Sequence, residues 1–377
     1  MAKLFIIVNE DRFFLSHRLP IARQALSEGF DVTIVTKDTG HRAEIQSLGF
    51  KFIDLPINPT GMNPLEEIKC YSFLSNLYKK EHPDIVHHVG MKNILWGGLA
   101  AKRNHILGVV NAVSGLGGLF TNGDKSIVTK SILYVMRYSN QRENVRVIFQ
   151  NNDDLRIFTE NKVVTPSQVE FTKGSGINLE EFHYAEEPSE GKIQVIFTGR
   201  MVREKGVCDL IEAAESLKAE YADKINFILC GRLTSNKTGM DEAYFKEHCD
   251  GKYISWLGER SDIHQLLEQS HIMAFPSYYR EGVPKSLIEA SAVGRPIITC
   301  NTTGCKDVVD DGINGFLVQP KSPSHIGKAL KQLIEDSSLR QRMGKSARNK
   351  AEKEFSIKSV VDTHMRIYSE LLKEKQK

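Results

Sequence analysis

The sequence has no Cys-x-x-Cys pair, no long hydrophobic run, little imbalance of charge, and no Gly-x-Gly-x-x-Gly after its first apolar segment. Each absence excludes something. Six scattered cysteines, Cys70, Cys208, Cys230, Cys249, Cys300 and Cys305, in a chain of 377 residues point to reduced thiols used as core filler, and to a cytoplasmic address. No stretch reaches the ~18 apolar residues of a spanning helix. The five apolar residues Leu4 to Val8 are too few for the core of a secretory leader, so export is not expected. A formal charge of +3 is too mild to argue for nucleic acid. The missing glycine run removes the dinucleotide fingerprint from the place where a nicotinamide-dependent dehydrogenase carries it.

What is present is ordinary globular composition, 41% hydrophobic and 26% charged, in a chain too long for a single core. Apolar runs alternate with helical patterns. Leu4–Val8, Asp31–Thr36, Phe52–Leu55, Ile85–Val89, Val109–Ala112 and Val145–Phe149 read as strands; Leu19–Ser27, His41–Leu48 and Asn152–Glu160 read as helices. The pattern repeats with strands at Gln194–Phe197, Ile225–Cys230, Ile254–Leu257 and His271–Phe275 and helices at Val207–Ala219 and Asp262–Gln269. Continuous apolar strands interleaved with helices imply parallel, doubly wound sheets. Two such domains are expected, residues 1–175 and 190–357, with residues 174–191 as linker and helices at Leu339–Lys353 and Val360–Lys373.

The chain is organised around Phe275 to Pro296. A strand ends at Phe275, a loop carries Glu281, and an apolar helix begins near Pro284 and carries Glu289. Proline suits a helix start, where its missing N–H would have no partner. The N–H groups of Gly282, Val283, Lys285 and Ser286 then lie at an open helix N-terminus, which favours an anion. A carboxylate inside an apolar helix must find a partner. The alternative, a solvated helix with two surface acids, is disfavoured by the apolar setting.

Glu281, seven intervening residues, Glu289, then Gly294-Arg295-Pro296-Ile297-Ile298, resembles the signature of retaining nucleotide-sugar glycosyltransferases of family 4. The resemblance is strongest from Thr198 to Val318. It implies an α/β chain of the GT-B fold, with two doubly wound Rossmann-like domains facing across a cleft, and with the C-terminal helix, residues 358–377, packing back on the N-terminal acceptor-binding domain. Residues 190–357 would bind the nucleotide sugar. Within Gly199-Arg200-Met201-Val202-Arg203-Glu204-Lys205-Gly206, Arg200 and Lys205 match the cations that hold the donor's diphosphate, where leaving-group charge builds up. The alternative for both is a solvated loop. With these cations no metal and no cofactor is required, and there is no Asp-x-Asp triplet, the usual metal ligand of the other main glycosyltransferase fold. By the same resemblance Glu289 would accept from ribose hydroxyls. Glu281 would bind the donor sugar, with Gly282, Val283, Pro284 and Lys285 completing that pocket. Gly199, Arg232, Leu233, Leu257 and Gly258 would line the nucleotide, whose base is expected to be uracil.

Acceptor features fall in the first half. Asp11-Arg12-Phe13-Phe14-Leu15-Ser16-His17-Arg18 replaces the family's common Gly-Gly loop and resembles the subgroup that builds bacterial capsule and O-antigen-type polysaccharides. Phe14, His17 and Arg18 are the candidate residues there; capping or packing is the alternative for His17. Ser114 and Gly115 stand where many members carry a His-Gly, in a form that resembles transferases acting on polyprenyl-diphosphate-linked sugars. The expected partners are therefore a UDP-sugar, a lipid-linked saccharide and the inner face of the cell membrane. Lys125 to Arg146 reads as a basic amphipathic helix, either lying on that surface or simply packed on the core. Adjacent His87 and His88 point to opposite faces of a strand, which argues against a shared metal. A nucleotide-sugar epimerase of the same fold and a non-catalytic nucleotide-sugar-binding protein remain as alternatives.

Overall fold

A computed structural model describes residues 1–59, 61, 63–117, 120, 126–234 and 239–373. The chain divides into two compact units, one formed by Met1–Ser175 with Ile357–Lys377 and the other by Gly176–Ser356.

The first unit carries β1 (Lys3–Glu10), β2 (Asp31–Lys37), β3 (Lys51–Asp54), β4 (Ile85–Val89), β5 (Gly108–Ala112), β6 (Val145–Phe149) and β7 (Val169–Phe171). Between them run α1 (Asp11–His17), α2 (Leu19–Ser27), α3 (Arg42–Ser47), α4 (Pro64–Glu81), α5 (Met91–Arg103), α6 (Ile127–Asn140) and α7 (Asn152–Glu160). The strands form one sheet in the order β3-β2-β1-β4-β5-β6-β7, every named pair parallel. Strands buried on both faces need apolar residues on both, and Leu4 to Val8 of β1 and all of β4 except His87 and His88 are apolar. One face packs on α4 to α7 through Leu74, Ile94, Leu133 and Phe158; the other packs on α1 to α3 through Phe14, Ile21 and Ile45.

The second unit repeats the plan with β8 (Ile193–Thr198), β9 (Ile225–Cys230), β10 (Ile254–Trp256), β11 (Ile272–Phe275), β12 (Ile297–Cys300) and β13 (Gly315–Val318). Its helices are α8 (Val207–Tyr221), α9 (Glu242–His248), α10 (Ile263–Glu268), α11 (Lys285–Val293), α12 (Pro323–Glu335) and α13 (Ser337–Glu354). The six strands run in the order β10-β9-β8-β11-β12-β13, again parallel. The last helix, α14 (Ile357–Lys373), belongs to the first unit, where Val360, Ile367, Tyr368 and Leu371 join the core beneath β1 and β4. Residues 176–190 are no free linker. Ile177 and Phe182 are buried in the second core, and Arg348 donates to the Phe182 carbonyl at 2.9 Å.

Candidate functional site at the strand ends of the second unit

In an open parallel sheet, ligands bind at the carboxyl ends of the strands where the strand order reverses. In the second sheet that point lies between β8 and β11, which are neighbours in space but far apart in sequence. The loop leaving β8 carries Lys205 and the loop leaving β11 carries Glu281. Their side chains form an ion pair, with 12% and 14% of each exposed. Lys205 Nζ also lies 4.9 Å from the centre of the Phe275 ring, a cation–π position. An ammonium and a carboxylate this shielded interact more strongly than a surface pair.

The loops around this pair are locked to one another. The Glu204 carbonyl accepts from Tyr278 N at 2.9 Å and Tyr279 N at 3.0 Å, tying the β8 loop to the β11 loop. Buried Ser277 adds its Oγ, 3.3 Å from both the Glu204 carbonyl and Glu281 Oε1, while its own carbonyl accepts from Thr302 Oγ1 at 2.9 Å. Two glycines make this closeness possible. Gly206 has φ +75°, and a Cβ there would sit 2.1 Å from the Pro276 carbonyl oxygen. Gly304 has φ +83°, and a Cβ there would meet the Gly282 carbonyl at 1.7 Å. Cys305 lies beneath the loop with its thiol pushed up to about 12 by burial and, secondarily, by Glu281, so it stays protonated and unreactive.

Helix α11 starts at Lys285, with Pro284 in extended conformation as its N-cap, and ends at left-handed Gly294. The expected helix start at Pro284 thus moves by one residue. Gly282, Val283 and Pro284 are buried in the approach to it. Glu289 sits one turn in, 14% exposed, with its carboxyl 3.5 Å from Lys285 Nζ. Burial pushes the Glu289 carboxyl up and Lys285 pulls it back down.

On the other side of the switch point three strand ends stack through main-chain bonds. Gly199 N donates to the Cys230 carbonyl at 2.9 Å and Gly231 N to the Gly258 carbonyl at 2.7 Å. Met201 N donates to the Arg232 carbonyl at 2.9 Å, and Met201 bridges Leu233. Trp256 Nε1 donates to the Gly231 carbonyl at 3.0 Å. Gly199, Arg232, Leu233, Leu257 and Gly258 therefore belong to one neighbourhood, with Leu257 40% exposed at its rim. Arg200 is exposed at the mouth of the β8 loop. Among the described residues no group of three His, Cys, Asp or Glu side chains is arranged to hold a metal.

Comparison with known proteins bears on this arrangement. The profile "Glycosyl transferases group 1" matches residues 178–350, and "Glycosyl transferase 4-like" matches residues 3–152. The chain belongs to the group 1 and 4-like glycosyltransferases. Across 96% of its length it is 26% identical to the N,N'-diacetylbacillosaminyl-diphospho-undecaprenol alpha-1,3-N-acetylgalactosaminyltransferase of Campylobacter jejuni, covering 98% of that enzyme. Across 92% of its length it is 25% identical to a UDP-Gal:alpha-D-GlcNAc-diphosphoundecaprenol alpha-1,3-galactosyltransferase of Escherichia coli, covering 90% of it. The structure of Anabaena HepE in complex with UDP and glucose superposes with a TM-score of 0.77 at 17% identity, over 98% of this chain and all of that one. The two Rossmann-like domains are those of the GT-B fold.

In this glycosyltransferase the acceptor-side candidates lie in the first unit, and they divide by burial. Phe14 is fully buried and meets the Phe50 ring edge-on at 5.8 Å, so it is a core residue. Arg18 is only 2% exposed, packed by Tyr368 and His364 of α14. His17 is half-buried, stacked on Phe13 at 4.2 Å with its Nδ1 2.7 Å from Ser16 Oγ. Ser114 and Gly115 are half-buried in the loop after β5, Gly115 with φ +100°. His87 and His88 do face opposite sides: His87 Nδ1 lies 2.6 Å from Tyr368 Oη, and His88 lies between Tyr78 at 2.9 Å and Asn111 at 2.8 Å. Residue-by-residue reading missed Ser277, Phe275 and Gly304, whose roles exist only through contacts between distant loops. It also missed Asp11, a buried carboxylate that accepts from Thr39 N at 2.6 Å and His41 N at 3.1 Å and pins the loop after β2.

Proposed function

We propose that this glycosyltransferase moves a sugar, with retention and without a metal, from a uridine diphosphate donor to a saccharide carried on a polyprenyl diphosphate, in the assembly of a capsule or O-antigen-type polysaccharide. The observation that carries the reading is the shielded Lys205–Glu281 pair across the switch point, beside the open start of α11. In the transfer, the bond between the sugar's anomeric carbon and the diphosphate oxygen breaks. Negative charge then grows on the leaving diphosphate. Arg200, Lys205 and the N–H groups at the start of α11 would stabilise it, and preorganised charge of this kind is the main source of catalysis where a leaving group carries the burden. The acceptor hydroxyl adds to the same face, and its proton passes to a departing phosphate oxygen. Glu281 would hold sugar hydroxyls and Glu289 those of the ribose. The names of the Campylobacter and Escherichia relatives, and the UDP bound in HepE, support this choice of acceptor and donor.

Among the described residues no helix is long and apolar enough to cross a membrane. Contact with a lipid-borne acceptor would instead come from peripheral association at the inner face. Helix α6 supports this reading: Ile127 is 85% exposed and Tyr134 71% exposed on the face that also carries Lys130, while Leu133 and Met136 point inward. Apolar and aromatic residues flanked by lysine suit an anionic interface. Lys125, at the start of the expected segment, lies outside the described residues.

The test is a thermal-shift panel of nucleotide sugars, followed by turnover of the best donor with short lipid-linked acceptors in excess chelator. A UDP-sugar giving the largest shift and an α-linked product from an α-linked donor support the proposal. Activity that chelator abolishes and a divalent ion restores overturns the metal-free mechanism. Nucleotide binding with no transfer to any acceptor favours the non-catalytic alternative.

A further inference from the structure

We propose that the side chain of Lys285 is itself a ligand of the donor's diphosphate, held by Glu289 until the donor arrives. The inference rests on the reading of the site just given and adds a cation to it. The case begins with a misfit. Lys285 is the first residue of α11, where the helix dipole is positive and disfavours a cation. It pairs with Glu289 four residues on, and Lys before Glu is the less favourable order for such a pair. The separation, 3.5 Å, is long for a charged hydrogen bond. Helix stability therefore does not account for Lys285.

The site accounts for it. Glu281 and Glu289 bracket the start of α11, and each has a lysine partner, Lys205 and Lys285. All four side chains are at least three-quarters shielded: 12% and 14% of the first pair are exposed, and 25% and 14% of the second. Two shielded acid–lysine pairs beside one helix start form a charge-balanced resting site. The diphosphate of a nucleotide sugar brings one negative charge on each phosphate, together with ribose hydroxyls. Hydroxyl groups donating to Glu289 would replace Lys285 there, so the carboxylate loses no hydrogen bonding when the ammonium leaves. Helical side chains lean toward the N-terminus, so rotation about the four-carbon stem carries Nζ toward the helix start and the phosphates. The exchange satisfies both acids and adds a compact cation beside Arg200 and Lys205.

The competing role is positional: Lys285 would only hold Glu289 in place and ionised. Equilibrium titrations of UDP and of uridine separate the two, because uridine keeps the ribose and lacks the phosphates. For Lys285→Gln, UDP affinity is expected to fall about tenfold, with a shallower salt dependence, while uridine affinity stays within about twofold of wild type. Lys285→Arg is expected to keep most of the UDP affinity. Uridine binding by the variant also reports that the site is folded. Equal losses for UDP and uridine, or loss of both, overturn the proposal in favour of the positional role. No loss for either also overturns it. A wild-type protein that binds UDP no better than uridine defeats this inference alone. One that binds no nucleoside diphosphate defeats the reading of the whole site along with it.

Discussion

Two places in the molecule, one in each unit, handle buried charge in opposite ways. Beneath α14, the first unit seals Arg18, His87, His364 and Tyr368 together, each 2% exposed or less, with Arg18 Nε and the Nε2 atoms of both histidines lacking a hydrogen-bond partner. At the β8–β11 switch point, the second unit keeps acid–lysine pairs that are shielded but not sealed, with 12% to 25% of each side chain exposed. The first arrangement suits groups that hold a helix in place: His87, His364 and Tyr368 stay neutral there, and Arg18, lowered only to about 10, keeps its charge. The second suits groups that trade one ionic partner for another. Burial by itself therefore does not mark a site; a charge that a ligand can reach, at the open end of a parallel sheet, does.

The sharpest break of this comparison is Lys205→Ala. If the second unit's pairs serve chemistry, turnover falls about 100- to 1,000-fold, as when one preorganised stabilising group is lost elsewhere. The unfolding midpoint should shift little, since the pair keeps some contact with water. Arg200→Ala should fall in the same range. Steady-state rates and a melting curve on the same samples decide it, and a large loss of stability with normal turnover would place Lys205 with the structural charges.

Acid gives the converse test of the first unit. Burial lowers the pKa of His364 to about 3, and it lowers that of His87 well below the ordinary histidine value, with help from His364 and Arg18. An unfolded histidine titrates near 6.5. Below that value the unfolded chain takes up protons that the folded chain refuses, so stability falls as pH drops from about 6.5 toward 3. The loss is on the order of 2 kcal/mol per histidine by pH 5. Urea titrations at pH 7 and pH 5 measure it, and His364→Leu should flatten the dependence. Equal stability at both pH values would mean that α14 does not seal these rings.

A smaller effect is expected for Glu289→Ala: a loss of donor affinity of about tenfold or more, the worth of a charged hydrogen bond to ribose. Calorimetric titration with the donor measures it, and unchanged affinity would return Glu289 to the role of a packed helix residue.

What could be read in advance follows the range of the interactions involved. Alternating apolar strands are a local pattern, and β4, β6, β9 and α7 stand at or within a residue of where patterning puts them. The acids, Arg200 and Lys205 lie at strand ends and helix starts, again local features. Helices α4 and α5 carry no such signal. Glu66, Glu67 and Lys69 interrupt the apolar positions of α4, while α5 mixes Asn93, Gly97 and Gly98 into its buried face; packing of α4 on α5, and of α5 on β4 and β5, defines them. Phe14 and Arg18 are buried where local patterning shows only a polar loop, for the same reason. Their loop announces polar chemistry, but the cover that buries Arg18 arrives from residues 364 and 368, more than 300 positions later.

Ser277 is the residue on which the comparison can be drawn most finely, because it has both characters at once. It is fully buried, like His87 and His88 of the first unit, yet its hydroxyl touches the Lys205–Glu281 pair. Its bonds to Glu281 Oε1 and to the Glu204 carbonyl are both 3.3 Å, beyond the ordinary range for a hydroxyl, so each is weak. Ser277→Ala should then cost about 1 kcal/mol, a several-fold effect. Where that cost appears is the informative part. If Ser277 positions the Lys205–Glu281 pair, kcat falls several-fold and the unfolding midpoint holds; if it only fastens the β8 loop to the β11 loop, the midpoint drops and kcat holds. A loss of turnover as deep as that of Lys205→Ala would contradict both, since a weak neutral contact cannot stand in for the cation, and would move the centre of the site from the ion pair to the hydroxyl.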